Sequence, residues 1–195
     1  MSFRTASLAS LALALAAALP AQSCLTTVMT GTTTTTTGNA AVFDLTVNSA
    51  VLINSISCNF SAALGANVGL SVWICPTTYV GNTTNQALWT QIANFPSGTV
   101  TAAGPGQPTV FTFSTPYALT PGSYGVSLDC DLTSHRYSST AATSYSDSFL
   151  TITMGAIQAT PWTGTLLSPR QWNGTICYTP AAGLYPNFSA TPTSG

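Results

Sequence analysis

Short runs of alternating apolar and polar residues, each closed by proline or glycine, dominate the sequence between residues 41 and 178. In the clearest run, at 68–75, every second residue is aliphatic, and Pro76 follows. Successive side chains of a strand point to opposite sides, so this period predicts a strand with one buried face. No segment after residue 24 keeps a 3.6-residue apolar period. The pattern therefore predicts an all-β protein.

Similar runs predict the other strands, and turn residues separate them. These runs lie at 41–47, 51–60, 88–95, 98–100, 109–113, 124–130, 136–138, 149–153 and 172–178. Leu52, Ile56, Cys58 and Phe60 are assigned to one face of the second run. Pro96 is expected to end the run at 88–95. The spacing favours an antiparallel β-sandwich of jelly-roll type. An immunoglobulin-like sandwich is the alternative, because strand count does not encode strand order.

The N-terminus has the features of a signal peptide covering residues 1–23. Arg4 precedes an apolar stretch at 8–19 that is too short to span a membrane, and small residues follow it. Cleavage after Ser23 leaves Cys24 first, and cleavage after Ala21 is the alternative. The organisation expected beyond it is a Thr-rich segment at 24–40, a β-sandwich domain at 41–178 and a flexible tail at 179–195. A secreted or cell-surface location follows.

Charge is nearly absent: only 4% of the residues are charged, and the chain contains no Lys and no Glu. Nucleic-acid binding and attachment to anionic lipids both need clusters of basic residues, so both are excluded. Schiff-base chemistry and a Glu general acid are excluded as well. The 45% hydrophobic content argues against disorder.

Five cysteines lie beyond the predicted signal peptide. Because export takes the chain to an oxidising compartment, these cysteines are expected to form disulfides. They are Cys24, Cys58, Cys75, Cys130 and Cys177. Two disulfides would leave one cysteine unpaired, and the sequence does not determine which cysteines pair. A lipid anchor on Cys24 is disfavoured, because Ala21 and Gln22 do not match the motif that precedes a lipidated cysteine. The lack of C-x-x-C spacing and the single His disfavour a zinc site.

Asp129 and Asp131 are the first candidates for chemistry. Residues two apart on a strand share a face, and their Cα atoms lie about 6.5–7 Å apart. Paired carboxylates can serve glycoside hydrolysis or hold calcium. The alternative is a structural role at a strand end, and no cofactor is expected beyond a structural calcium.

His135 beside Ser134 or Ser138 suggests a hydrolase triad, yet no Gly-x-Ser-x-Gly motif is present. A surface histidine next to Arg136 is the simpler interpretation. Arg170, with Asp44 or Asp147 as its candidate partner, and Arg136 are expected to be structural. The pair Asn173-Gly174 is interpreted as a turn or bulge.

Aromatic residues offer the best route to a binding function, because flat rings stack on sugars without needing charge. Tyr79 and Trp162 fall in predicted loops and are expected to be exposed, and Trp73 lies opposite the aliphatic face of its strand. Trp89 and Trp172 are expected in the core.

Several segments occur in a recognisable order. They are Phe43-Asp-Leu-Thr-Val47, Leu119-x-Pro-Gly-x-Tyr-Gly125 and Ser168-Pro-Arg-x-Trp-Asn-Gly-Thr-Ile-x-Tyr178. This order resembles a group of exported bacterial β-sandwich domains, some of which carry PEP-CTERM-type sorting tails. The resemblance implies the fold and export but no activity. The sorting tail is missing here, and the cysteines are not part of the pattern.

Together these features predict an exported, non-catalytic domain with a structural or adhesive role at the cell surface or in the extracellular matrix. A neutral surface lacks repulsion, so self-association is expected. A carbohydrate-binding module is the first alternative and predicts coplanar exposed aromatics. A hydrolase is the second, and it predicts a cleft where His135 or the two aspartates meet a third polar partner.

Overall fold

The computed structural model describes residues 21–139 and 144–181. Most of the predicted signal peptide and of the tail lie outside these residues. Twelve β-strands are present in the described part of the chain. They are β1 (Ser23–Thr26), β2 (Ala40–Val47), β3 (Val51–Asn59), β4 (Asn67–Pro76), β5 (Thr90–Thr101), β6 (Pro108–Leu119), β7 (Gly122–Asp131), β8 (Tyr137–Ser138), β9 (Ser144–Ser146), β10 (Leu150–Gln158), β11 (Leu166–Trp172) and β12 (Gly174–Pro180). A short 3-10 helix, Gln86–Leu88, precedes β5.

The strands form two antiparallel sheets that pack face to face, which confirms the predicted β-sandwich. The small sheet has the order β1-β12-β3-β6. The large sheet has the order β5-β4-β7-β2-β10-β11-β8, and β9 pairs with β10 beside it. Most neighbours are distant in sequence, because the chain repeatedly crosses from one sheet to the other. This strand order is the information that alternation alone does not carry.

The core lies between the sheets and is built from the inward positions of both. Its fully buried members include Phe43, Phe60, Leu70, Phe111, Leu128, Leu150, Ile157 and Tyr178. The assignment of Val68, Leu70, Val72 and Ile74 to one face of β4 is confirmed: the first three are buried, and Ile74 packs against the core while partly buried.

The predicted face of β3 is wrong at its first residue. Val51 and Ile53 are buried, whereas Leu52 is only partly so. The register between β3 and β6 shifts between Ile53 and Ser55, and such a bulge inverts the alternation that follows it. Ile56 and Cys58 therefore face the core together with Val51 and Ile53, and Leu52 does not.

The expectation that Pro96 ends a strand is also wrong. Both β5 and β6 run for 12 residues, through Pro96 and Pro116 respectively. Each is the outermost strand of its sheet, where a missing N–H leaves no ladder bond unmade. The register shifts opposite residues 96–99 and 113–116, so a bulge accompanies each proline. Prolines and bulges are devices that discourage pairing with another edge.

One disulfide joins the first and last strands. Cys24 and Cys177 lie directly opposite each other in β1 and β12, with their Cα atoms 4.0 Å apart. The expected second disulfide is absent among the described residues, because Cys58, Cys75 and Cys130 are free and buried. Cys58 and Cys130 face the core between the sheets, whereas Cys75 lies on the outer face of the large sheet.

Within the predicted Thr-rich segment, the run at 32–37 lies on the surface, as its two-sided polarity predicts, whereas β1 at its start belongs to the small sheet and Leu25 is buried. Residues 32–37 are largely exposed, and Thr33 makes an isolated bridge to Tyr137. Among the described residues, no helix is long and apolar enough to cross a membrane.

Candidate functional site

The outer face of the large sheet brings together most of the residues that sequence analysis selected for binding. Cross-strand partners share a face, so the register places side chains in rows across β5, β4 and β7. Trp73 lies between Gln91 and Ser127 in one row. In the neighbouring row, Ser71 lies between Asn94 and Asp129. The Ser71 hydroxyl donates to the Asn94 side-chain oxygen at 3.0 Å, which joins two members of this row.

Four aromatic residues cover one end of this face, and we call them the outer aromatic cluster. They are Trp73, Tyr79, Trp89 and Trp162. The Trp162 ring meets Trp73 at 5.5 Å with an interplanar angle of 79°, and Trp89 at 5.4 Å with an angle of 65°. These are edge-to-face contacts, in which the positive edge of one ring meets the negative face of the next. The cluster forms a corner rather than a flat stacking platform.

The loop at 77–89 supplies Tyr79 and Trp89, and Asp44 of β2 holds it on the sheet. The Asp44 carboxylate accepts from the Thr78 hydroxyl and from the Tyr79 backbone N–H, both at 2.9 Å. Below the loop lies Gly125 of β7, where a Cβ atom would stand 2.5 Å from the Tyr79 nitrogen. A residue without a side chain is required there for the loop to approach the strand.

The loop at 159–165 supplies Trp162, and buried Gln158 holds it. The Gln158 amide nitrogen donates to the carbonyls of Thr83 at 3.1 Å and Gly164 at 3.3 Å, so one side chain ties both loops together. Its oxygen accepts from the Trp162 N–H at 3.3 Å. Trp162 has a φ of 67°, a left-handed conformation that a bulky residue rarely adopts.

The positions of the predicted aromatic residues differ from one another. Trp73 and Trp162 are half-buried. Tyr79 is buried at 8% exposure, so its predicted exposure is wrong: the loop folds back onto the sheet because Asp44 binds it. Trp89 and Trp172 are buried as expected.

Asp129 and Asp131 lie on the outer face at the end of β7, as alternation predicts. Ser127 donates to Asp129 at 2.6 Å, and burial raises the pKa of Asp129 to about 6, although Ser127 and the Trp73 indole partly offset this. Asp131 accepts from Ser97 and from the Leu132 N–H. Within residues 21–139 and 144–181, no three His, Cys, Asp or Glu side chains come together as a metal site. Both carboxylates therefore have structural partners.

His135 is buried rather than superficial, so its predicted surface position is wrong. Its Nε2 lies 2.9 Å from the Leu128 carbonyl, and its ring packs against Phe60 with centroids 5.0 Å apart. Burial lowers the pKa of His135 to about 4. The segment turns inward because Asn39 accepts the His135 backbone N–H at 3.0 Å. Neither Ser134 nor Ser138 makes a hydrogen bond to the imidazole, so the suggested triad is not assembled.

The remaining ionisable groups act as structural ties. Arg136 donates to the Gly31 carbonyl at 3.0 Å. Arg170 donates to the Pro169 carbonyl and lies over the Tyr137 ring, so neither suggested aspartate is its partner. Asp147 accepts from two backbone N–H groups at 2.8 Å and from the Tyr178 hydroxyl at 2.6 Å. Hydrogen bonds from these donors lower the pKa of Asp147 despite partial burial.

The three free thiols are poor nucleophiles. Burial raises the pKa of Cys58 and Cys75, and raises that of Cys130 to about 12. A thiol is nucleophilic only as a thiolate, so these groups have the chemistry of small core residues. The sequence analysis expected two disulfides and one unpaired cysteine, so it did not predict three free, buried thiols.

Comparison of the sequence with protein-family models and with curated proteins finds no match.

Proposed function

We propose that this chain is an exported, non-catalytic domain with a structural or adhesive role at the cell surface or in the extracellular matrix. The observation that carries the proposal is the internal use of its few charges. Asp44 and Asp147 bind backbone N–H groups, and Arg136 binds a carbonyl. What faces outward is a surface with few charges that is rich in hydroxyl and amide groups.

The Cys24–Cys177 disulfide supports the export part of this proposal. Disulfides persist in oxidising compartments outside the cytosol. The bond also occupies the Cys24 thiol, which is the atom that a lipid anchor would need. Attachment to a surface would then come from contacts made by the folded domain rather than from acylation.

Self-association is one form that adhesion can take here. The prolines and bulges of β5 and β6 discourage edge-to-edge pairing, so contact through the ends or faces of the sandwich is favoured. One end exposes Leu64 at 80% and Leu132 at 59%. Their loops are neighbours, because the hydroxyls of Ser61 and Ser134 lie 2.9 Å apart.

Sedimentation velocity over a wide concentration range tests this proposal. We expect the average mass to rise with concentration and to change little with added salt, because salt screens charges and few are present. The double variant Leu64→Ser/Leu132→Ser tests the exposed end, with the exposed Val110→Ser on the small sheet as its matched control. A particle that stays monomeric at all concentrations and does not attach to cell-wall or matrix preparations would contradict the proposed role.

A further inference from the structure

The geometry points to a binding site for a neutral carbohydrate chain on the outer face of the large sheet. The site is formed by the Trp73–Trp162 corner and the row of Ser71, Asn94 and Asp129. This inference rests on the proposed adhesive function and names what the domain adheres to.

The two indoles supply the apolar part of the site. Their rings stand at 79° to each other with centroids 5.5 Å apart, and both are half-buried. The two rings are not coplanar, which departs from the arrangement expected of a carbohydrate-binding module, so a sugar would contact one indole and have the other beside it. A pyranose has an apolar face of C–H groups and a polar rim, and it fits a surface that combines a ring with hydrogen-bonding groups.

The polar row lies next to the corner in the correct place for the rim of the sugar. Along β4, Ser71 and Trp73 are two residues apart, which corresponds to about 6.5–7 Å. Across the strands, Asn94, Ser71 and Asp129 follow one another at the strand spacing of about 4.8 Å. A hydroxyl, an amide and a carboxylate thus border the indole corner over an area the size of one or two sugar rings.

Charge decides between possible occupants of this face. The row contains a carboxylate, Asp131 lies two residues further along the same strand, and the two described arginines have other partners. Anionic glycans and nucleic acids would meet repulsion without a compensating cation. A neutral, hydroxyl-rich chain satisfies these groups.

The conformation of Trp162 is an independent observation at the same place. A left-handed backbone is unfavourable for a non-glycine residue such as Trp162, and such residues cluster at functional sites. Gln158 and the two loops hold Trp162 in this conformation. These contacts hold the half-buried indole of Trp162 beside Trp73.

Depletion binding of the folded chain to insoluble cellulose, chitin and β-1,3-glucan tests the inference, with alginate beads as an anionic control. We expect saturable binding to at least one neutral polysaccharide and none to alginate. Trp162→Gly keeps the backbone conformation accessible, and we expect it to weaken binding at least 10-fold. Asn94→Ala, on the exposed edge of the row, is expected to weaken binding about 3–10-fold, since a lost hydrogen bond is worth about 0.5–1.5 kcal/mol.

Tyr117→Ala is the matched control, because Tyr117 is a half-buried aromatic on the small sheet. Binding that survives in Tyr117→Ala but falls in Trp162→Gly supports the site. Equal losses in both variants, preferential binding to alginate, or no binding to any neutral polysaccharide would overturn it. If the sedimentation test shows self-association while no polysaccharide binds, this inference fails and the proposed function stands. If both tests are negative, both fail.

Discussion

The two faces of the large sheet use aromatic residues in different ways. On the inner face, Phe43 and Trp172 are stacked at 5.0 Å with an angle of 12°, and the small sheet closes over them. On the outer face, Trp73 and Trp162 meet edge to face, and only two loops cover them. Neighbouring residues of β4 show the same contrast, since Val72 belongs to the closed core and Trp73 to the outer aromatic cluster. The layer that covers each face makes the difference.

The inner face is expected to contribute most to stability, and Phe43→Ala should show this. Removing a fully buried aromatic ring leaves a cavity, so the free energy of unfolding should fall by about 3–5 kcal/mol. Urea unfolding followed by circular dichroism measures the loss. A fall below about 1 kcal/mol would mean that the inner face is not the main core.

The second prediction concerns pH and isolates Asp129 on the outer face. Its pKa is raised from 3.8 to about 6 in the folded chain, so the folded state holds a proton that the unfolded state has lost. The stability from this proton is complete below pH 4 and is lost as pH rises to about 6. Allowing for solvent, the loss amounts to about 1–3 kcal/mol.

Asp129→Asn removes this loss. The difference in unfolding free energy between Asp129→Asn and the wild-type chain should therefore favour the variant more at pH 7 than at pH 4. His135, with its pKa lowered to about 4, has the opposite dependence, but it is common to both chains and cancels in the difference. Urea midpoints at several pH values measure the trend. A difference that does not change with pH would show that Asp129 titrates normally.

The third prediction concerns variants that detach the loop at 77–89 from the outer face of the large sheet. Asp44→Ala leaves the Tyr79 N–H and the Thr78 hydroxyl without their acceptor, which should cost about 1–3 kcal/mol. Tryptophan emission should shift to the red as Trp89 gains solvent. Gly125→Ala should produce the same shift from below the loop, because its Cβ would displace Tyr79. Unchanged emission in both variants would mean that the loop does not need these anchors.

The smallest expected effect on stability comes from substitutions of Trp162 in the outer aromatic cluster. Trp162→Ala should lower the free energy of unfolding by only about 1 kcal/mol, because half-buried side chains lose little. Trp162→Gly should be more stable than Trp162→Ala by about 1 kcal/mol, since glycine adopts a positive φ without strain. Differential scanning calorimetry compares the two. If Ala is the more stable variant, the left-handed backbone is not strained.

Regular strands were predictable from the sequence, and irregular ones were not. The face of β4 follows from its alternation, because the strand lies between two neighbours and Val68, Leu70 and Val72 need one buried side. The face of β3 could not be assigned throughout, because a bulge near Asn54 depends on pairing with β6. Pro96 was misjudged for a related reason: whether a proline ends a strand depends on whether that strand lies at an edge.

The candidate site was predictable in composition but not in arrangement. Trp73 and Trp162 were selected because aromatic residues in a neutral chain suggest sugar contact. Tyr79 was selected too, yet a distant carboxylate, Asp44, buries it. Asn94 and Gln91 were not selected, since their place beside Trp73 and Ser71 follows only from the register of β5 with β4.

By itself, the sequence determined the fold class and the neutral character of the surface, because both depend on local alternation and composition. The tertiary structure alone decided the strand order, the pairing of Cys24 with Cys177, the burial of His135 and the corner between Trp73 and Trp162. Each of these depends on contacts between residues far apart in the chain. Alternation tells which side of a strand is apolar, but only the packing of the whole chain determines what covers that side.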